Sequence, residues 1–284
     1  MFKSLLFSVM LFCMAFAKAQ TQDEIVAEGW LMYYSERASW HGSDIFLARF
    51  PEKRDLSGGY FSYTDPDTKK HKCVFFDQAA DPGALVTISF DDSFVVEAAE
   101  VSTDARKLTP YEKELAALRK KTEETVDNDK SGFFTRYENT SLNVIPLIVD
   151  GKKKVYILTG TSVNGVVLFG NDYLLTFDKN NKLKSKKKLH NNLIPIEYDN
   201  NNLNATTMHS HMESTGELIT ATDICTLLLY GPYASWEAHY VISDDNVCIW
   251  NCKNEKLFVI TRKAWEKIAK HQAEKAKTEE KDKE

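Results

Sequence analysis

With 284 residues, of which 43% are hydrophobic and 27% charged, the chain has apolar content for one large domain or two small ones, which excludes collagen-like, largely disordered and disulfide-only architectures. A net charge of −5 offers no global attraction for a polyanion, so nucleic acid is not an expected partner. After the first residues no segment has the roughly 18 uncharged apolar residues of a spanning helix, so stable membrane insertion is not expected either.

Residues 1–19 read as a signal peptide: Lys3 supplies the positive start, Leu5 to Ala17 the short apolar stretch, and Ala17-Lys18-Ala19 an A-x-A cleavage site before Gln20. Phe12 stands where a lipid-attachment site before Cys13 carries a small residue, so plain cleavage is expected and the product is periplasmic or secreted. Cleavage removes Lys3 and Lys18 but no acid, leaving the mature chain more negative. Cys73, Cys225, Cys248 and Cys252 remain, an even number in a compartment that permits disulfides. Three pairings and free buried thiols are all open.

In chain order, Ile25, Val26, Leu31, Tyr34 and Ala38 recur at helical spacing and predict a helix over 23–39, with Asp23 and Glu24 at its positive end. From Ile45 to Val101, short aromatic and β-branched runs (DIFLARF, GGYFSYTD, KCVFFD, LVTISFD, FVVEAAEV) separated by Pro, Gly and Asp predict an antiparallel sheet. A second helix is expected from Thr109-Pro110, with Glu112 placed for a capping box, to about Asp127. Strands follow at 133–137, 142–149, 153–159, 165–170, 173–178 and 193–198, with Asp150-Gly151 and Gly170-Asn171 as turn signals. Lys179 to Lys188 (KNNKLKSKKK) reads as a solvated hairpin tip, and Asp199 to Asn204 as a polar loop. Beyond Thr220 a helix runs to Tyr230 and stops at Gly231-Pro232, followed by strands EAHYVIS, NVCIWNC and LFVIT and a terminal helix. The fold class is α+β, mostly antiparallel sheets with flanking helices. The expected units are residues 20–105, 106–265 and a charged helical tail, 266–284, with the first two free to share a sheet.

The chemistry concentrates in residues 208–231, MHSHMESTGELITATDICTLLLYG. His209 and His211 stand two apart, so in an extended chain both imidazoles leave the same face, and Asp223 follows in the first turn of the next helix. Two imidazoles and a carboxylate are ligands of the kind a catalytic zinc uses, with a fourth position left for water, the basis of metal-assisted amide hydrolysis. The bland reading is equally concrete: Thr220 to Asp223 is a helix cap and the histidines hydrogen-bond to the loop. A cap at Thr220 and a ligand at Asp223 are compatible.

The segment resembles the signature of the JAB/MPN (JAMM) metalloprotease family, His-x-His-Pro, seven residues, Ser, two residues, Asp. His209, Ser210 and His211 match, Glu213 to Ile219 separate Met212 from Thr220, and Ala221 and Thr222 precede Asp223. The likeness covers about residues 109–265 and implies a JAB/MPN-like α/β C-terminal part, zinc on His209, His211 and Asp223, and hydrolysis of a protein or peptide at a peptide or isopeptide bond. Met212 replaces the proline, and Thr220 replaces the serine while keeping a hydroxyl for an oxyanion. The family's general base is a glutamate on an earlier strand, but YILTGTSVNGVVLFG, residues 156–170, contains no acid. Glu197 and Glu138 are the upstream substitutes. Two classes therefore remain, a zinc hydrolase with Glu197 as base and Thr220 beside it, and a catalytically inactive JAB/MPN-like binding or interaction module. His239 and His41 read as structural, and residues 20–105 have no counterpart in the family.

Overall fold

The computed structural model describes residues 20–199 and 204–281. The stretch read as a signal peptide and most of the Asp199 to Asn204 loop lie outside the described residues. The first helix, α1 (Gln22–Arg49), begins at a reciprocal cap: the Thr21 side chain accepts the Glu24 amide, and the Glu24 carboxylate accepts the Thr21 amide. It runs past Ser39, so DIFLARF is the end of a helix rather than a strand. No proline stands before Pro51, and Ala38, Ile45 and Phe46 bury one helical face, with Phe46 stacked on Phe75 at 3.8 Å between ring centroids. Composition favoured a strand there, but a sheet waiting beneath rewards the helical spacing.

That sheet is β1 (Ser57–Thr64), β2 (His71–Asp77), β3 (Gly83–Phe90) and β4 (Glu100–Ser102), antiparallel in that order, with β5 (Arg106–Lys107) also on β3. FVVEAAEV forms no continuous strand: Val96–Ala98 is a 3₁₀ turn, and only its end joins as part of β4. Helix α2 (Pro110–Asp127) has the expected capping box at Thr109 and Glu112. A second sheet follows, β6 (Thr140–Val149), β7 (Lys152–Thr161), β9 (Tyr173–Phe177) and β10 (Leu183–Lys188), ordered β10-β9-β7-β6. Between its strands, β8 (Val166–Gly170) pairs with β11 (Leu193–Glu197).

Two expectations fail in this region. Residues 133–137 form no strand, because the Phe133 and Phe134 amides donate to Asp129 and the Thr135 amide to the Tyr173 hydroxyl, which takes the backbone groups a ladder would need. The lysine run is not all hairpin tip: Asn181 turns at φ 59°, and the rest is β10. β10 is an edge strand, and its lysines discourage pairing with another chain.

The last sheet orders β12 (Ala205–Ser210), β13 (Trp236–Ile242), β14 (Asn246–Asn251) and β15 (Lys256–Thr261). β12 and β13 are parallel, joined by a crossover through α3 (Ala221–Tyr230), and α4 (Arg262–Lys281) ends the described chain. No helix among the described residues is long and apolar enough to cross a membrane. The architecture is α+β, mostly antiparallel sheets with flanking helices.

The N-terminal and C-terminal sheets are separate, but α1 packs on both sides of the expected boundary near residue 105. Ala38, Ile45 and Phe46 cover the first sheet, whereas Ile25 joins Ile224, Leu227 and Trp236, and Met32 joins Ile145, Cys225 and Leu229. Two glycines permit this: a Cβ at Gly29 would lie 2.4 Å from the Ile224 side chain, and one at Gly42 2.6 Å from that of Cys73. The four cysteines are free thiols. Cys73, Cys225 and Cys248 are buried in three different core clusters, which keeps them from pairing.

Gly29→Ala should therefore destabilise the fold by about 1–3 kcal/mol through overpacking against α3, even though alanine is the better helix former; urea denaturation measures it, and a gain in stability would contradict the close approach. Glu112, 1% exposed, accepts a bidentate pair from Arg106 at 2.6 and 2.8 Å, the Tyr63 hydroxyl at 3.0 Å and the Thr109 amide at 2.9 Å. Burial alone would raise its carboxyl, but Arg106 and the Thr109 amide hold it below the ordinary glutamate value. This depressed group stabilises the fold above the unfolded pKa, and the contribution is lost as pH falls through the folded one. Glu112→Gln should cost about 2 kcal/mol near neutral pH, and denaturation curves should show the deficit shrinking in acid.

Candidate metal centre

Three segments deliver four side chains to one buried point. Along β12 the even positions face solvent and His209 faces inward, and His211, just past the strand end, keeps the inward parity because its amide still donates to Ile242 at 2.8 Å. Met208 and Met212 have the opposite parity and are 58% and 62% exposed, so their thioethers stand outside the donor set. Asp223 comes from the first turn of α3. His190, from the connection between β10 and β11, completes the group, and the ligand atoms of His190, His209, His211 and Asp223 all lie within 4.8 Å of one another.

The imidazole Nε2 atoms converge, His190 to His211 at 2.9 Å and His209 to His211 at 3.1 Å. Asp223 Oδ1 lies 3.6 Å from His190 Nε2 and 3.7 Å from His209 Nε2, and its Oδ2 lies 3.4 Å from His211 Nε2. Protons cannot satisfy this set. A single lone pair or proton on His211 Nε2 serves one partner well, yet two imidazoles crowd it. Asp223 Oδ1 and His211 Nδ1 are buried with no hydrogen-bond partner, an arrangement that costs stability unless another group supplies the missing interaction. Convergent imidazoles with an orphaned carboxylate oxygen between them could hold a metal ion.

Behind these ligands stands a second layer. His190 donates Nδ1–H to Asp172 at 2.8 Å, and its backbone amide reaches the same oxygen at 3.0 Å, while Thr222 donates to the other Asp172 oxygen. His209 Nδ1 lies 2.8 Å from His239 Nε2, and His239 Nδ1 lies 2.7 Å from the Thr207 hydroxyl. The proton order that leaves the His209 Nε2 lone pair free is His209 Nδ1–H donating to His239 Nε2, then His239 Nδ1–H donating to Thr207. Such outer partners fix the tautomer and ring angle of metal-ligating histidines. Burial, chiefly, lowers His209 to about 4 and His239 to about 3, which keeps both neutral. Burial would lower His190 too, but Asp223 and Asp172 outweigh it and raise it to about 9. Burial opposes charge on Asp223 as well, and the imidazoles of His190 and His209 nonetheless hold its carboxyl well below the ordinary value.

Of the residues singled out from the sequence, the structure brings together His209, His211, Asp223 and Thr220. Thr220 caps α3, with Asp223 Oδ2 accepting its amide at 2.9 Å and its hydroxyl at 2.8 Å, so the cap and the ligand roles coexist on the two carboxylate oxygens. The Thr220 hydroxyl also lies 2.7 Å from Thr222 Oγ1, which leaves its one proton no freedom for an oxyanion. Glu197 is not part of the cluster. It is exposed at the end of β11 opposite Val166, while His190 adjoins the other end of that ladder, where Leu193 pairs Gly170; the strand between spans about 13 Å. Glu138 is exposed in the turn before β6. His190 and Asp172 escaped the sequence reading because neither has a ligand-spaced neighbour along the chain; they meet just beyond the β9–β10 ladder, where Lys188 pairs Tyr173 and the Leu189 amide donates to the Asp172 carbonyl at 2.9 Å, beside the β8–β11 ladder. His239, read from the sequence as structural, lies outside the converging group and is hydrogen-bonded to His209, one of its members.

The chain matches no protein-family profile, no curated protein and no solved structure.

His239→Phe keeps the ring volume but leaves His209 Nδ1 without an acceptor, so metal affinity should fall about 10–100-fold. Competition with a chromophoric chelator measures this, and an unchanged affinity would show that His209 is oriented by something else.

Proposed function

We propose that this chain is a non-hydrolytic metal-binding module in which one zinc ion, held by His190, His209, His211 and Asp223, ties α3, β12 and the segment before β11 into one unit that presents a surface to a protein or peptide ligand. The observation that carries this reading is the fourth ligand. A catalytic zinc keeps three protein ligands and an open position, whereas a structural zinc is closed by four, and His190 stands where the open position would be. Zinc is the favoured ion because tetrahedral bonds of about 2.0–2.1 Å imply ligand-to-ligand edges of about 3.3 Å; the close contacts of the group run from 2.9 to 3.7 Å, and all its ligand atoms lie within 4.8 Å of one another. Imidazole and carboxylate donors without sulfur also suit it.

The resemblance to the JAB/MPN family enters through the ligand register: strand, loop and capped helix present His209, His211 and Asp223 in the motif's order. Hydrolysis would further need a free carboxylate beside an open position. Glu197 lies at the far end of its ladder, and Asp172 is committed to His190 and Thr222. The inactive-module reading of the motif is therefore the one the side chains favour. Export through residues 1–19 to a periplasmic or secreted location belongs to the same proposal.

Elemental analysis of chain purified without chelator should find about one zinc, lost in a His209→Ala, His211→Ala double variant and bound more weakly in His190→Ala. Zinc at 100–1,000 times its dissociation constant should add about 3–4 kcal/mol of stability, read as a rise in thermal midpoint. Fluorogenic peptide and isopeptide substrates should show no zinc-dependent turnover; turnover abolished by Glu197→Gln would restore the hydrolase, and absence of metal after incubation with zinc would remove the centre altogether.

A further inference from the structure

A cavity of about 400 Å³ lies at the junction of α1, α3 and the start of β6, away from the four metal-centre ligands. Its walls are aromatic: Trp40 from α1, Tyr230 and Tyr233 from the end of α3 and the turn after it, and Tyr198 beyond β11. Trp40 and Tyr233 are 45% and 54% exposed, an unusual outlay of aromatic surface to leave in water at one spot. Trp40 is nevertheless held, stacked on His41 with 14° between ring planes.

The floor is polar and connected. Ser141 donates to Asn143 Oδ1 at 2.9 Å, and Asn143 Nδ2 donates to Glu36 Oε2 at 3.0 Å. Glu36 Oε1 accepts no hydrogen bond among the described residues. Gly160 keeps this floor open, since a Cβ there would press on Ser141 Oγ at 3.1 Å and Asn143 Nδ2 at 3.2 Å. Neither lysine nor arginine lines the cavity. A cation acting on Glu36 is Arg119, which is engaged with Glu123, the Val144 carbonyl and the Tyr60 ring. Burial raises the Glu36 carboxyl above its ordinary value, with Asn143 and Arg119 offsetting in part.

From this geometry we infer that the cavity is a binding site for an organic ammonium ion, a quaternary ammonium or protonated alkylamine whose charge pairs with Glu36 and whose carbon substituents lie against the tryptophan and tyrosine rings. Ring faces are negative and attract a cation directly, most strongly when it is partly desolvated. Glu36 is half-buried, and a carboxylate with one oxygen free of protein partners beside aromatic rings attracts a positive ligand. A neutral sugar could stack on the rings and donate hydroxyls to the carboxylate but would leave its charge uncompensated, and an anion would be repelled. The cavity volume falls within the range of small-molecule sites.

The test titrates the purified chain with tetramethylammonium chloride and, separately, n-butylammonium chloride at constant ionic strength, following the Trp40 indole signal in proton–nitrogen correlation spectra. Saturable shifts are expected, with dissociation constants in the millimolar range, and the tighter probe tells a quaternary ligand from a lysine-like amine. Glu36→Gln should weaken binding about 10-fold, and Tyr233→Ala, at an exposed position that folding does not depend on, about 3-fold. Glucose and n-butanol should give no saturable shift. The inference fails if neither ammonium ion saturates the signal, if a neutral probe binds as tightly, or if Tyr233→Ala and a correctly folded Glu36→Gln bind as the unaltered chain does. None of these outcomes depends on metal content, so the zinc proposal stands or falls separately.

Discussion

Three imidazole nitrogens and a carboxylate, all at most 6% exposed, point at one another across distances at which protons can satisfy only some of them. In water each would be solvated; buried together they carry a desolvation cost that the rest of the core must offset or that a shared cation must remove. This constraint organises the C-terminal half. It requires β12 to end with two inward side chains, α3 to start with its carboxylate turned toward β12, and the β8–β11 ladder to bring His190 alongside. Asp172, Thr222, His239 and Thr207 then hold the rings at fixed angles.

The candidate metal centre also bears on the placement of α3. Its N-terminus carries Asp223, so a shift of the helix would pull one donor out of a set whose spacing is tight. Gly29 lets α1 lie directly on Ile224, in the next residue of α3, and Ile25 and Met32 grip α3 on either side of that contact. Helix α1 in turn is anchored by its second half on the N-terminal sheet, through Phe46 on Phe75. The two halves of the chain are thus not independent supports: the N-terminal sheet holds the helix that holds the helix carrying a ligand. The ammonium site inferred above sits at the other end of α3, where Tyr230 and Tyr233 follow the same helix.

The capping pattern shows how one short sequence can do two things. At Thr220 the cap uses Asp223 Oδ2, and the unpaired Oδ1 is left facing the histidines. A reading that sets cap against ligand is a false choice at a carboxylate, which has two oxygens and separate directions for each. The lysine run is a comparable case, where a solvated surface and a paired edge strand are the same residues.

Local chemistry alone determined the helix starts at Thr109 and Thr220, the α+β class, most strands with two-residue periodicity, and the triplet His209, His211 and Asp223, because caps, alternation and short ligand spacing are properties of neighbours along the chain. Where a segment's state depends on what it packs against, the chain was silent or misleading. DIFLARF has strand composition yet is helical, because Phe75 and its sheet reward a helical face, and FVVEAAEV and 133–137 give up their ladders to turns and side-chain hydrogen bonds. His190 and Asp172 belong to the same class. They enter the centre because β9 pairs with β10 and β8 with β11, which sets the residues between these strands beside α3, and pairing between strands is a choice that no short spacing encodes. The tertiary structure alone therefore decided that a third histidine, His190, stands beside the two histidines and the aspartate, and that Glu197 is left in solvent at the opposite end of the ladder.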